Sequence, residues 1–323
     1  MKKYVDMHCD TLLCTITDGK DDMYSLPGGM LDIRRLKEAG ALAQFFAIFF
    51  PAPSDELMKE LDTDEKYFQA LYHTFRNTLE KNSDLIRFAG NYEDVVRNEK
   101  DGRVSAFLTL EDGRMIQNDL ARLQEFYQKG VRLITLTWNF ENCFGYPNAK
   151  DPQLMNLGLK PFGKEAVEEM NRLGMLIDVS HLSDGGFYDV AKISKKPFVA
   201  SHSNCRSLCP HQRNLTDDMI RVLAQKGGVA GLNIAGHFLN RDITDDHGRI
   251  ESMVEHVLYM TKLGGEDFVA IGTDFDGVGG QLDIDEPGKL ELLFEALKKA
   301  GFSERQLDKL AWGNAMRVIR EAL

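Results

Sequence analysis

One pattern recurs along most of the chain: an amphipathic helix ends at a glycine, and a short apolar run follows directly. Leu120, Leu123 and Phe126 recur at helical spacing, Gly130 ends the helix, and residues 131–137 form the apolar run. Helices that alternate with short, continuously apolar strands are typical of parallel β/α units, because such strands are buried on both faces. The pattern therefore predicts a parallel sheet covered by helices.

From about residue 119 onward the pattern gives five strand candidates, at residues 131–137, 175–179, 197–200, 228–234 and 268–272. The first third is less regular, and we place three further strands there, at residues 4–7, 43–50 and 104–110, which makes eight. Eight βα units close into a (β/α)8 barrel of TIM type, although the pattern alone leaves an open doubly wound sheet as an alternative. A long helix is predicted over residues 55–82, and closing helices are predicted over residues 289–323. Because no proline- or serine-rich linker interrupts the chain, we predict a single barrel domain over residues 1–323.

Charge and apolar content limit the partners of this chain. Its 323 residues carry a formal net charge of −11, which repels phosphate backbones, so we expect no binding to nucleic acid. The five cysteines are odd in number and irregularly spaced, so we expect free thiols in a reducing compartment. With no apolar run long enough to span a bilayer and no apolar segment after the first lysines, we predict a cytoplasmic protein without membrane contact.

His8 and Asp10 follow the first predicted strand. They are two residues apart, so in an extended chain both side chains point to the same side. An imidazole and a carboxylate together suit a divalent ion such as zinc. The alternative is a capped turn after the strand.

Three further ligand-type residues also follow predicted strands: Glu111 after the third, His181 after the fifth and His202 after the sixth. A carboxylate buried at the end of a central strand needs a partner, and a metal ion is one such partner. For Glu111 the alternative is an ordinary surface turn. The two histidines end successive strands, whose tips lie within ligand reach of each other.

The eighth predicted strand leads into Asp274, Asp276 and Gly277. Asp274 emerges at the predicted barrel mouth, where a carboxylate near a dication would have a lowered pKa and could still carry a proton from water. Asp276 with Gly277 is interpreted as a turn.

The sequence resembles the membrane (renal) dipeptidase-like metallopeptidases of the amidohydrolase superfamily. The shared motifs are Asp6–Leu12, Leu136–Asn139, Asp178–His181, Ser201–Ser203, Arg213–Asn214 and Gly272–Gly277. The resemblance implies a (β/α)8 barrel with two zinc ions. By the family pattern, His8 and Asp10 bind the first ion, His181 and His202 bind the second, and Glu111 bridges them.

The same resemblance assigns roles around the metals. Arg213 matches the arginine that holds the C-terminal carboxylate of the substrate, in keeping with the fork geometry of a guanidinium; the alternative is a surface arginine in a loop ion pair. Asp274 matches the acid/base, and Asn233 is placed at the border of the pocket. Trp138 departs from the pattern, because better-known animal members have a histidine there. An indole N–H donates one hydrogen bond but cannot titrate, so Trp138 either shapes the substrate pocket or packs at its rim.

The predicted function is that of a zinc-dependent dipeptidase that uses a water bridging the two metal ions. The resemblance adds that a D-residue is accepted on the C-terminal side. One alternative is a hydrolase on the same scaffold that acts on a lactone, an N-acyl amino acid or a cyclic amide, since a fold does not fix a function. Another is a non-enzymatic barrel that binds metal or amino acids. The oligomeric state stays open, with a homodimer as one option.

Overall fold

The structure is a computed structural model that describes residues 2–52 and 54–323, apart from the side chains of residues 59–61. In these residues nine strands form one sheet: β1 (Tyr4–Cys9), β2 (Ala41–Phe49), β3 (Ile86–Phe88), β4 (Val104–Glu111), β5 (Val131–Thr135), β6 (Leu176–Asp178), β7 (Val199–Ala200), β8 (Val229–Leu232) and β9 (Val269–Ile271).

Eight of these strands close into a ring. The order around it is β1, β2, β4, β5, β6, β7, β8, β9 and back to β1, and every pairing is parallel. Residues 43–49 of β2 pair with residues 105–111 of β4, which closes the sheet on itself. The predicted (β/α)8 barrel is therefore confirmed, and the open sheet is excluded.

Fifteen helices are described: α1 (Thr11–Thr17), α2 (Ile33–Glu38), α3 (Glu56–Leu61), α4 (Asp64–Lys81), α5 (Tyr92–Lys100), α6 (Leu120–Gln128), α7 (Pro152–Met155), α8 (Pro161–Leu173), α9 (Asp184–Ile193), α10 (Asp217–Gln225), α11 (Gly236–Leu239), α12 (Ile250–Gly264), α13 (Leu290–Lys299), α14 (Glu304–Asp308) and α15 (Asn314–Ala322). Short 3-10 turns at Gly113–Ile116 and Pro287–Lys289 and a π-helical turn at Lys309–Gly313 complete the set. Among the described residues, no helix has the length and apolar character that crossing a membrane requires.

Two local predictions were wrong. The single helix predicted over residues 55–82 is two helices, because Asp62 takes a φ of 71° and the Thr63 side chain caps α4 by accepting from the backbone N–H of Lys66. The strand β3 was missed. It has only three residues and pairs with the first residues of β4, outside the ring, so it is too short for a recognisable apolar pattern.

The core has an inner and an outer part. The ring of strands encloses side chains such as Phe45 of β2 and Phe107 of β4, whose rings stack with centroids 4.4 Å apart. The alternate residues, such as Phe46 and Leu108, belong to the larger cluster between strands and helices. The buried face of α15 packs against the inner cluster, as expected of a closing C-terminal helix. All five cysteines have free thiols, as predicted.

The parallel ring fixes where the chemistry can lie. All eight strands end at the same rim, so the residues that follow them converge around one opening. The inner side chains fill the barrel below that rim, and the loops that follow the strands lie above it.

Candidate metal centre and substrate pocket

The five predicted metal ligands converge at this rim. His8 lies in β1, Asp10 directly follows it, and Glu111 is the last residue of β4. His181 and His202 follow β6 and β7. All five side chains are buried, and the most exposed, His181, is 9% exposed.

The two carboxylate oxygens of Glu111 face two different sets of side chains. Its Oε2 lies 3.1 Å from Nε2 of His8. Its Oε1 lies 3.0 Å from Nε2 of His181 and 3.5 Å from Nε2 of His202. His8, Asp10 and Glu111 thus form one group that could hold a cation, and Glu111, His181 and His202 form a second. A carboxylate shared in this way has the arrangement of a bridging ligand.

The hydrogen-bond partners of His181 and His202 determine which nitrogen of each ring carries no proton. Nδ1 of His181 lies 3.2 Å from Oδ1 of Asn139, and Nδ1 of His202 lies 2.7 Å from Oγ of Ser201. The Ser201 hydroxyl donates to the carboxylate of Asp178, so its oxygen accepts from His202. Each Nδ1 therefore carries the proton, and each Nε2 presents a lone pair.

These lone pairs have no proton between them. The Nε2 atoms of His181 and His202 are 3.2 Å apart, and Oε1 of Glu111 is close to both. Three acceptors that face one another repel unless a cation lies among them. The donor set of imidazole nitrogens and carboxylate oxygens fits zinc.

The first group of ligands contains polar atoms without partners. Neither ring nitrogen of His8 makes a hydrogen bond among the described residues, and neither does Oδ1 of Asp10. Buried polar atoms without partners are costly, so they point to an occupant that would satisfy them. Asp10 stands at the N-cap position of α1 but caps nothing, so the alternative of a capped turn is wrong.

The turn after Glu111 is not a surface turn. Glu111 is 2% exposed and Asp112 is fully buried. The Asp112 carboxylate accepts from the backbone N–H of Arg114 and from the side-chain amide of Asn142, which holds the chain as it turns away from the rim. The surface-turn alternative for Glu111 is therefore wrong.

The backbone at the rim is strained. Four non-glycine residues there have positive φ angles: Asp112 (79°), His181 (67°), Asp274 (64°) and Asp276 (68°). Such conformations cost on the order of 1–3 kcal/mol each, persist only where the surroundings enforce them, and concentrate at functional sites. The four residues follow three different strands, and His181, Asp274 and Asp276 line the same opening.

Burial and neighbouring charges shift the pKa values of the cluster in different directions. Burial, with the charge of Arg213, lowers the pKa of His181 to about 4, and burial with the charge of His8 lowers that of His202 well below its ordinary value. Both rings are thus neutral at pH 7, the form that binds a metal. Burial and the charge of Glu111 raise the pKa of Asp10 to about 8. A cation bound beside this carboxylate would offset both effects.

Asp274 stands at the same opening with one oxygen free. Its Oδ2 accepts a hydrogen bond of 2.8 Å from the side-chain amide of Asn233, while its Oδ1 lies 3.7 Å from Nε2 of His8. Burial, followed by the charge of Glu111 and against those of His8 and Arg213, raises its pKa to about 6. A carboxylate with a pKa in this range can both accept and return a proton near neutral pH.

Gly277 leaves room for two carboxylates at the rim. A Cβ at this position would overlap the carboxylate oxygens of Asp10 and Asp274.

The interpretation of Asp276 as a simple turn residue was incomplete. Its half-buried carboxylate accepts from the Thr11 hydroxyl and from the backbone N–H of Met30, both at 2.5 Å, and so ties the start of α1 and the segment before α2 to the rim.

Arg213 is buried and faces the same pocket. It is 6% exposed, and it donates to Oγ of Ser203 at 3.2 Å and to the carbonyl of His202 at 3.4 Å. Its side-chain hydrogen bonds go to these oxygens and not to a carboxylate among the described residues, and it is buried, so the alternative of a surface arginine in a loop ion pair is wrong. A buried guanidinium that lacks an anion suits a carboxylate ligand.

These groups line a pocket of about 580 Å³. Trp138 is half-buried in its wall. The sequence analysis did not single out several other lining residues, which lie at the end of β2, in the short helix α11 or in loops: Phe49, His211, Gln212, His237, Phe238 and Val278. The motifs around Arg213 and at Gly272–Gly277 were the sequence signals near them.

The chain matches known proteins along its whole length. A sequence profile of the membrane dipeptidase family, peptidase family M19, matches residues 1–323. A protein encoded in the region 5′ to pqqA of Klebsiella pneumoniae is 34% identical over 242 residues, which is 73% of this chain and 88% of that protein.

Two solved structures share the fold and part of the sequence. The structure of dipeptidase AC, a metallopeptidase of family M19, superposes with a TM-score of 0.89 and is 29% identical, over 99% of this chain and 98% of that one. A metallopeptidase from Rhodobacter sphaeroides, solved with a phosphinate mimic of the dipeptide L-Ala-D-Ala, has a TM-score of 0.87 and 28% identity, over 100% and 99%. As its motifs predicted, the chain belongs to the membrane dipeptidase family, peptidase family M19, a family of metal-dependent dipeptidases.

Proposed function

We propose that the protein hydrolyses dipeptides with two zinc ions bound at the rim. His8, Asp10 and Glu111 would hold the first ion, and Glu111, His181 and His202 would hold the second. The observation that carries this proposal is the set of facing acceptors, in which Nε2 of His181 and Nε2 of His202 lie 3.2 Å apart beside one oxygen of Glu111.

The metal ions would supply Lewis acidity, which lowers the pKa of water and polarises a carbonyl. The residues of the chain then have separate tasks. The free Oδ1 of Asp274 takes a proton from the attacking water and returns it to the amine that leaves. Asn233 donates to the other oxygen of Asp274 and keeps the carboxylate directed at the centre.

Arg213 would fix the dipeptide by its C-terminal carboxylate. Its buried guanidinium has no anionic partner of its own among the described residues, and a charged pair that is shielded from water is stronger than one at the surface. The phosphinate in the Rhodobacter sphaeroides relative mimics L-Ala-D-Ala, and we propose that this pocket also accepts a D-residue on the C-terminal side. Trp138 would shape the pocket without taking part in proton transfer.

The test combines metal analysis with hydrolysis of matched L,L and L,D dipeptides. We expect two zinc ions per chain and release of free amino acids from at least one series. A protein that binds two zinc ions but cleaves no dipeptide would refute the dipeptidase proposal and leave the metal site intact. Hydrolysis of lactones or N-acyl amino acids at higher rates than dipeptides would instead favour another hydrolase on the same scaffold.

We also propose that residues 1–323 form one domain, since the closing helix α15 packs against the strands of the barrel interior. A single calorimetric unfolding transition would support this, and two separate transitions would contradict it.

A further inference from the structure

Phe49 and Trp138 line one side of the pocket, and Phe140 lies beside Trp138; these three aromatic side chains are here called the aromatic wall. Phe49 is the last residue of β2, and the other two lie in the loop after β5. The rings of Phe49 and Trp138 meet edge to face with centroids 4.8 Å apart. Phe140 extends the wall from Trp138 towards solvent, with centroids 5.8 Å apart.

The aromatic wall does not belong to the core of the barrel. Neither buried apolar cluster includes any of its three rings, within the part of the chain that the structure describes. Phe140 is 46% exposed, and Phe49 and Trp138 are half-buried. Apolar rings that stay in contact with water beside a pocket of mostly polar groups are typical of a binding surface.

The position of the wall relative to Arg213 gives it a place along the substrate. In the ring of eight strands, β2 lies directly across from β7, and Arg213 is in the loop that follows β7. Phe49 is aligned with Glu111 in the pairing of β2 with β4, and the ring of Trp138 lies 6.4 Å from that of His181. The carboxylate and imidazoles of the metal centre therefore lie between the guanidinium and the aromatic wall.

This arrangement orients a dipeptide. A dipeptide would place its C-terminal carboxylate at Arg213 and its peptide carbonyl at the metal centre. Because one residue spans at most about 3.6 Å, its N-terminal residue would then lie on the side of the centre away from Arg213. The group that the substrate presents there is the side chain of its first residue. We propose that the aromatic wall is a subsite for a large apolar N-terminal side chain, aromatic or branched aliphatic.

The inference rests on the proposed function, because it takes the orientation of the dipeptide from Arg213. The apolar preference of the subsite has a physical basis that does not depend on this orientation. Aromatic rings bind other apolar groups through buried area and through edge-to-face contacts, and the wall already presents its rings in that geometry. A substrate whose first residue has only a methyl side chain would leave the aromatic rings in contact with water.

The experiment compares kcat/KM of the zinc-loaded enzyme for a series X-Ala in which X is Phe, Leu, Ala or Lys. We expect Phe and Leu to exceed Ala by roughly tenfold, the scale of selectivity that an apolar pocket provides. In Phe140→Ala the ratio of Phe-Ala to Ala-Ala should fall several-fold. The matched control is Leu292→Ala, an equally exposed apolar residue on the outer helix α13, which should leave the ratio as it is.

The outcomes separate the two proposals. If no member of the series is cleaved, the proposed function fails. If dipeptides are cleaved with equal kcat/KM for Phe and Ala, or with Lys preferred, the aromatic subsite is refuted while the dipeptidase activity stands. An unchanged ratio in Phe140→Ala, with zinc content and circular dichroism equal to those of the parent protein, also refutes it.

Discussion

Oγ of Ser201 lies 2.7 Å from Nδ1 of His202 and at the same time donates to Oδ2 of Asp178 at 2.5 Å. The carboxylate determines the direction of the hydroxyl proton, and the hydroxyl oxygen then determines the protonated nitrogen of the ring. Asp178, buried at the end of β6, therefore acts on the centre through Ser201 without touching Nε2 of His202, the atom that we propose as a metal ligand. Partners of this kind commonly change metal affinity by 10- to 100-fold when removed.

The first prediction concerns this network. In Ser201→Ala, Nδ1 of His202 loses its acceptor, so we expect zinc affinity at one of the two sites to fall by about 10- to 100-fold. Zinc titration with a competing chelator dye measures this without relying on activity.

Thr135 provides the matched control. Its hydroxyl donates to the same oxygen of Asp178 at 2.6 Å but does not contact His202. Thr135→Ala should therefore lower the free energy of unfolding by about 1 kcal/mol, as loss of one buried hydrogen bond does, and leave zinc affinity within a few-fold of the parent protein. Equal loss of zinc affinity in both variants would show that Ser201 acts only through general stability.

The second prediction concerns Asp274. Asp274→Asn keeps the hydrogen-bonding shape of the side chain but cannot carry a proton, so we expect kcat to fall by roughly 100- to 10,000-fold. Zinc content is measured alongside kcat, because Asp274 also lies with His8 and His202 in a third group that could hold a cation; we expect it to stay at the level of the parent protein, since an amide oxygen still has a lone pair. A variant that retains near-normal turnover with zinc bound would remove Asp274 from the mechanism.

The third prediction concerns Arg213 and the C-terminal carboxylate. Arg213→Ala removes a charge-assisted hydrogen bond, so kcat/KM for dipeptides should fall by roughly 10- to 100-fold. A dipeptide amide, which lacks the carboxylate, should be a poor substrate for the parent protein and should lose little more in the variant. If the variant cleaves both substrates as the parent protein does, the carboxylate is bound elsewhere, or the true substrate has none.

The fourth prediction concerns pH and stability away from the site. His256 of α12 is fully buried and neutral: its Nδ1 accepts from the backbone N–H of Cys205 at 3.1 Å, and its Nε2 donates to the carbonyl of Leu239 at 2.9 Å. Burial, against the hydrogen bond to Leu239, lowers its pKa from 6.5 to about 4.

As the pH falls, His256 is therefore protonated at a higher pH in the unfolded state than in the folded state. Its contribution to stability is complete above pH 6.5 and is lost as the pH falls towards about 4, at up to about 1.4 kcal/mol per pH unit and about 3 kcal/mol in all. Urea unfolding between pH 4 and 7 should show a shallower dependence in His256→Gln than in the parent protein, both without metal. Identical slopes would contradict this assignment.

The sequence was most informative where a pattern repeats or a residue type is restricted. The alternation of helix, glycine and apolar run placed the last five strands of the ring, and apolar runs alone placed the first three, since burial on both faces leaves a continuous apolar signature. It could not place β3, because three residues outside the ring carry no such signature. It also merged α3 with α4, because the break at Asp62 depends on a positive φ angle that the residue types alone do not specify.

The same distinction between sequence and tertiary structure applies to the residues of the site. The sequence by itself placed His8, Asp10, Glu111, His181 and His202 at strand ends, because a barrel brings all such ends to one rim. Only the tertiary structure decided that the two oxygens of Glu111 face separate groups, that the protons of His181 and His202 lie on Nδ1, and that Phe49 stands across from Arg213. The reason is physical: strand positions follow from local patterns of burial, whereas proton positions and facing pairs depend on contacts between residues far apart in the chain.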